Sequence, residues 1–355
     1  MKVLVTGGSG YFGTRLLELL SVEGFDIHSM DKGYFWNCWL GDKTKNKELK
    51  FPAEEIEEKD LIGFEAVIHF AGISNDPLKQ VNETTLHDPS LRYTKKIAEI
   101  CKKRNIRFIY ASSCSVYGKQ TLIVDELSVV KPQTPYSLNK LQIESILSEL
   151  ASEGWRPMIL RFATLYGYSA RMRFDTVINM LCGMSIAEKV IKLNSNGQAK
   201  RPFVYIDDAV SVLKWSLRLA NKNYNKILEK NLIINIGSNK SNFSISEIAQ
   251  LISEIGGNIP IQFQDSEKLH ELVKDRKLQD GADSRSYEVK FDRLNIECKD
   301  SINFLDIRSG IRFTLDKLIH FGLALDDLYK SDFYRLQYLE ESVENKLLDS
   351  NLEFI

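Results

Sequence analysis

A chain of 355 residues with 43% hydrophobic content is long enough for a large core or two closely joined lobes, and too apolar for general disorder. Lys plus Arg (47) nearly balance Asp plus Glu (48), which excludes a global field that would steer nucleic acid or an anionic membrane. No uninterrupted apolar stretch could span a bilayer, and five scattered cysteines without metal-type spacing read as free thiols of a reducing cytoplasm, with no metal site.

The first elements are predicted to form a strand–turn–helix unit, not a signal peptide. Val3, Leu4 and Val5 read as a buried strand and Thr14 to Leu20 as the start of an apolar-faced helix. Between them, the run Gly7-Gly8-Ser9-Gly10-Tyr11-Phe12-Gly13 lets the backbone turn tightly and approach a pyrophosphate at the helix N-terminus. A second strand, Phe25 to Met30, ends at Asp31, whose carboxylate can accept hydrogen bonds from an adenosine ribose. Lys32 to Leu40 is an aromatic-rich connection, and the lysine-rich stretch Lys43 to Lys50 reads as solvated loop.

Further along, Ala66 to Ala71 is an apolar strand closed by Gly72, with a loop from Ile73 to Pro77. Tyr93 to Arg104 has helical spacing, and Ile106 to Ala111 is a strand that delivers Ser112 and Ser113 at its C-terminal end. A helix from Tyr136 to about Ala151 and a strand from Met158 to Phe162 follow. This alternation implies a doubly wound parallel sheet, α/β in class, which binds ligands at the C-terminal ends of its strands. Beyond Thr164 the rhythm changes. Arg171, Arg173, Lys200 and Arg201 bring cations, Phe203 to Ile206 and Leu232 to Ile236 read as strands that partly return to the first lobe, and Ile245 to Ile255 is an amphipathic helix. The tail after Leu328 is acidic and amphipathic.

Chemistry enters at Tyr136-Ser-Leu-Asn-Lys140, where a helix puts a phenol and an ammonium on one face. A tyrosine ionises near pH ~10, and a neighbouring cation favours its phenolate, which could remove a proton from a sugar hydroxyl as a hydride leaves the same carbon. His69, on an apolar strand, reads as structural, and Cys114 as a packed thiol.

The glycine run, Ser113-x-x-x-Tyr117, Tyr136-x-x-x-Lys140 and Arg201-Pro-Phe-Val-Tyr-Ile-Asp-Asp208 together resemble the extended short-chain dehydrogenase/reductase family, in its nucleotide-sugar epimerase and dehydratase branch, from Lys2 to roughly Phe321. The resemblance implies a Rossmann-like NAD-binding domain over 1–165, with returning segments at about 203–240. A smaller C-terminal substrate-binding lobe over 166–202 and 241–330 and a helical tail over 331–355 complete the expected organisation. It also implies roles: Tyr136 as base, Lys140 lowering its pKa and holding the nicotinamide ribose, and Ser113 bonding the reacting oxygen. Gly7, Gly10, Tyr11, Phe12, Gly13, Asp31, Ala71 and Gly72 join Tyr136 and Lys140 as the implied NAD contacts. Asp175, Thr176, Arg201 and Arg285 fall where relatives hold the sugar nucleotide, and arginine's planar fork suits phosphate oxygens. A homodimer and a nucleotide-sugar substrate are implied as well.

Two departures stand out. Pro52-Ala53 replaces the family's usual adenine-contacting pair, and Pro89-Ser90 stands where an asparagine near the nicotinamide is usual. Dehydratases carry Asp-Glu directly after the catalytic Thr, whereas this chain has Cys114 and Ser115, which favours epimerisation over dehydration. A 4-keto-sugar reductase drawing on external NADH or NADPH uses the same residues and stays open. A non-catalytic dinucleotide-binding scaffold would be expected to lack the Tyr136/Lys140 pair.

Overall fold

Strand alternation sorts the core. In the computed structural model, which describes residues 1–41, 48–74, 83–263, 286–299 and 301–355, with backbone only for 48–50 and 83–88, Val3 and Val5 point to one side of a sheet and Leu4 to the other. Ala66 and Ile68 against Val67, and Met158 and Leu160 against Ile159, repeat the pattern, because successive strand residues face opposite ways. Both faces are apolar, so both must be covered.

The sheet has seven described strands: β1 (Lys2–Thr6), β2 (Asp26–Asp31), β3 (Glu48–Lys50), β4 (Ala66–His69), β5 (Arg107–Ser113), β6 (Met158–Phe162) and β10 (Ile233–Ile236). Their order is β10-β6-β5-β4-β1-β2-β3, and every pairing is parallel. Helices α1 (Tyr11–Ser21) and α5 (Ile206–Arg218) cover the face of Val3 and Val5 through Leu16, Leu17, Val210 and Leu213. Helices α2 (Glu83–Lys103) and α3 (Pro135–Leu150) cover the face of Leu4 through Ile97, Cys101, Ile143 and Leu147. This is the Rossmann-like doubly wound architecture, and its strand order reverses between β1 and β4. The crevice above those two strands is the natural ligand position.

Two stretches differ from the sequence expectation. Glu48–Lys50, read as loop, adds to the sheet edge as β3, with Ser29 to Asp31 as its partners. Lys200–Tyr205 (β9) pairs with β7 (Thr164–Tyr166) and β11 (Asn242–Ser244) in a separate three-stranded sheet; only Ile233–Ile236 returns to the large one. A strand's apolar pattern reports that it is buried, and both sheets satisfy that equally well.

Around the small sheet, α4 (Val177–Ala187), α7 (Ile245–Ile255) and α9 (Ile307–Phe321) pack on one another, and β8 (Ile191–Leu193) pairs with β12 (Ile261–Phe263). Short helices α6 (Asn221–Leu228), α8 (Asp292–Cys298) and α10 (Leu325–Tyr329) precede α11 (Arg335–Glu344). Among the described residues no helix is long and apolar enough to cross a membrane.

Candidate active site

The glycine turn is shaped by contacts that leave no room for a side chain. A Cβ on Gly7 (φ +76°) would stand 2.7 Å from the Ala71 nitrogen, where β1 and β4 end side by side. One on Gly13 would meet the Gly7 oxygen at 2.4 Å and the Gly8 Cα at 2.6 Å, so α1 can start this close to β1 only with glycine there. Gly10 is the N-cap and supplies no side-chain cap. Among the described residues no side chain caps the amides of the first turn, which leaves them open to a ligand. Asp31 closes the far side: its Oδ2 accepts from Ser9 N–H at 3.0 Å and its Oδ1 from Gly33 N–H at 2.8 Å. Burial raises the Asp31 carboxyl above the usual range, and these two bonds oppose that. A narrow, uncapped turn beside an oriented carboxylate fits a dinucleotide: diphosphate on the amides, ribose on the acid.

The other implied cofactor positions divide. Ala71 and Gly72 lie at the end of β4, where Ala71 N–H reaches the Thr6 hydroxyl at 3.4 Å. Tyr11 and Phe12 turn their side chains inward: the Tyr11 hydroxyl donates to the Gly167 carbonyl at 2.7 Å, and Phe12 stacks on Phe70 at 4.7 Å. Only their backbone remains to meet a ligand.

Helix α3 owes its start to Thr134, whose Oγ1 accepts from Ser137 N–H, with Pro135 at the first helical position. Tyr136 and Lys140 then share one face. Lys140 Nζ donates to the Ala111 carbonyl at 2.8 Å and lies 5.7 Å from the centre of the Tyr136 ring and 4.7 Å from that of Tyr110. Burial pushes the Lys140 ammonium down to about 8, with Glu144 partly opposing. Ser113 ends β5 two residues after Ala111; its Oγ accepts from Ser115 N–H at 3.1 Å, which leaves its own proton to donate elsewhere.

Beneath this trio runs a buried network with no counterpart in the sequence reading. Arg161 on β6 binds Glu144 on α3 through Nη2 at 2.6 Å and Nε at 3.0 Å, and the Ser112 hydroxyl donates to Glu144 at 2.5 Å. Arg161 Nη1 also donates to the Tyr117 hydroxyl at 3.0 Å, which in turn donates to Asn235. Cys114 is 1% exposed and donates to the Arg161 carbonyl; burial pushes its thiol up, so it stays protonated. His69 bridges the Thr6 and Thr94 hydroxyls at 2.7 and 2.9 Å, fully buried, as a structural ring.

On the substrate side the implied residues are dispersed. Asp175 pairs with Arg173 at 2.5 Å, and the buried Thr176 hydroxyl precedes α4. Arg201, on β9, lies over the Tyr287 ring at 5.1 Å. Arg285 lies outside the described residues. What sequence reasoning missed altogether is Arg335, at the start of α11: it donates to the Ser74 hydroxyl, and its guanidinium, pushed down to about 9 by burial and by neighbouring Arg173, interacts with Tyr136.

Comparison with known proteins identifies the family. A family model described as the NAD dependent epimerase/dehydratase family matches residues 3–237, about two thirds of the chain. The chain belongs to that family. NAD is accordingly its cofactor. A putative UDP-glucose 4-epimerase of Methanocaldococcus jannaschii is 30% identical over 268 residues, 72% of this chain and 82% of that protein. An uncharacterized UDP-glucose epimerase of Bacillus subtilis is 28% identical over 278 residues, again 72% of this chain and 83% of the relative. The UDP-glucuronic acid 4-epimerase of Bacillus cereus, solved with UDP-glucuronic acid and NAD, superposes with a TM-score of 0.70 at 22% identity, covering 90% of this chain and 99% of that one. This structural likeness establishes the fold.

Proposed function

We propose that this chain is an NAD-dependent nucleotide-sugar 4-epimerase with Tyr136 as the base. The observation that carries the reading is the tie between Lys140 and the Ala111 carbonyl, which sets an ammonium beside the Tyr136 ring and two residues from Ser113. The names of the Methanocaldococcus and Bacillus subtilis relatives support it and suggest UDP-glucose as the first substrate to assay.

Bound NAD would supply the acceptor for the hydride of sugar C4 and, on return, its donor. The glycine turn and Asp31 would hold it, with Lys140 reaching the nicotinamide ribose. Tyr136 takes the proton of the C4 hydroxyl, and the nearby Lys140 charge favours the phenolate that does so. Ser113 donates its hydroxyl proton to the same oxygen and holds the sugar in line. Return of the hydride to the other face, with Tyr136 giving its proton back, yields the epimer with no net redox change. Arg201, Arg285, Asp175 and Thr176 are the proposed contacts to the sugar nucleotide.

Dehydration would need an acid and a base after Ser113. That position is filled by Cys114, sealed against Arg161 and held protonated, and by Ser115, which is also buried. This favours epimerisation.

The test is UDP-glucose epimerisation by Tyr136→Phe. Activity should drop by roughly a thousandfold, in the range of lost general base catalysis, while NAD stays bound. A variant that epimerises at the wild-type rate would remove Tyr136 from the chemistry.

A further inference from the structure

The segment 335–355 lies outside the residues that the family model matches, and it folds back across the cofactor crevice. Leu339, Leu348 and Leu352 form a small apolar cluster of their own, which takes in Tyr34 and Phe35 after β2 and Ile73 after β4. The Tyr34 hydroxyl donates to the Leu352 carbonyl at 2.7 Å, and Lys32 pairs with Glu353 at 2.7 Å. These are the loops that border the adenosine side of a dinucleotide site.

The head of this strap carries charge to the glycine turn. Arg335 Nη2 lies 4.0 Å from where a Cβ would stand on Gly10, the uncapped N-cap of α1. Arg171 also stands beside Phe35: the ring centre is 4.7 Å from its guanidinium carbon and 6.0 Å from that of Arg335. Arg171 is 1% exposed, and its Nε and Nη2 have no hydrogen-bond partner among the described residues. Among the described residues neither arginine forms an ion pair. Arg335 is half-buried and Arg171 fully buried. Asp175, which acts on both, is already paired with Arg173 at 2.5 Å, and Asp31 already accepts from two amides, so the cluster carries positive charge that an external anion would balance.

We propose that Arg335 is a cofactor-binding residue: delivered by the 335–355 strap, it grips the dinucleotide's diphosphate from the side opposite the glycine turn and keeps the cofactor in place between turnovers. The inference rests on NAD occupying the crevice, as the proposed function requires. A retained cofactor suits a reaction that returns its own hydride and does not suit one that exchanges spent NAD each cycle.

The test is calorimetric titration of NAD-stripped protein with NAD, ADP-ribose, adenosine and UDP. Arg335→Gln should weaken NAD and ADP-ribose on the order of tenfold or more, the loss expected for a charge-assisted contact, and leave adenosine and UDP within about twofold. Arg335→Lys, which keeps the charge, should recover part of that loss. Leu352→Asp, which loosens the strap without touching the arginine, should speed NAD release. Equal NAD affinity in wild type and Arg335→Gln overturns the inference alone, as does a loss shared by adenosine or confined to UDP. Should Arg335→Gln fail to fold, Arg335→Lys and Leu352→Asp decide: wild-type NAD affinity and release in both overturn the inference. Wild-type protein that binds no NAD overturns the proposed function and this inference with it.

Discussion

Lys140 on α3 and Ala111 on β5 are joined by a 2.8 Å hydrogen bond from ammonium to carbonyl oxygen. The bond fixes the helix that carries Tyr136 against the strand that carries Ser113, so the three proposed catalytic groups share one rigid mount. It also holds a cation in a buried place, which costs Lys140 part of its proton affinity.

That cost sets a pH limit on activity. Lys140 titrates at about 8, below the ordinary lysine value, and only its charged form favours the Tyr136 phenolate. Epimerase rate should therefore fall as pH rises through about 8. Lys140→Arg, if it retains activity, should move that limb upward, since a guanidinium stays charged. Initial rates from pH 6 to 10 check both, and an unchanged limb in the arginine variant would assign the titration elsewhere.

Glu144 and Arg161 are each nearly inaccessible, so removing one strands the other. Glu144→Ala should destabilise the fold by about 3–5 kcal/mol, read from urea unfolding, because it leaves a buried guanidinium with only the Tyr117 hydroxyl and takes a partner from Ser112. The Glu144→Ala/Arg161→Met double variant should lose less than the two single losses added. A single-variant loss under about 1 kcal/mol would show that the pair is not isolated from water.

Cofactor choice follows from the neighbours of Asp31. A 2′-phosphate would press on its carboxylate, and Lys32, the cation next to it in sequence, is already engaged by Glu353 at 2.7 Å and Glu54 at 3.1 Å. NAD should bind roughly tenfold or more better than NADP. Asp31→Ser combined with Glu353→Gln should narrow that gap by removing the repulsion and freeing the lysine from the closer of its two carboxylates. Titration of both dinucleotides decides it, and an unmoved ratio would place the discrimination outside this pair.

These features differ in how far the sequence could announce them. The glycine turn, Asp31, Ser113 and the Tyr136/Lys140 pair were legible because each is local: a few residues in a fixed order determine the backbone or the shared helix face. Glu144 stands one turn beyond Lys140 and could have been found by the same spacing, yet its purpose depends on Arg161, a strand away. Arg335 gave no signal. It meets Gly10 and Ser74 only through the path of the strap, and nothing near it in sequence records those partners. The edge strand Glu48–Lys50 was hidden for a related reason, since its pairing comes from β2 and not from any apolar alternation of its own.

His69 makes stability depend on pH in a direction that can be derived. Its ring, bridged by two threonine hydroxyls, has no room for charge, and burial together with Lys140 pushes it down to about 3 from an ordinary 6.5. Below pH 6.5 the unfolded chain takes up a proton that the folded protein refuses, so stability falls as pH falls, by about 2 kcal/mol between pH 7 and 5. Asp208 acts with the opposite sign over the same interval, because burial raises its carboxyl to about 6 and the folded state binds that proton first. Asp31 and Glu126, also raised by burial, act with the sign of Asp208, so the wild-type slope is a balance of opposing effects, and the comparison with His69→Gln isolates one. The glutamine variant, which can keep one of the two hydroxyl bonds, should be less stable at pH 7 but should lose no further stability, or gain some, on going to pH 5. If urea unfolding shows both proteins weakening in parallel, the buried imidazole is not the acid-sensitive group.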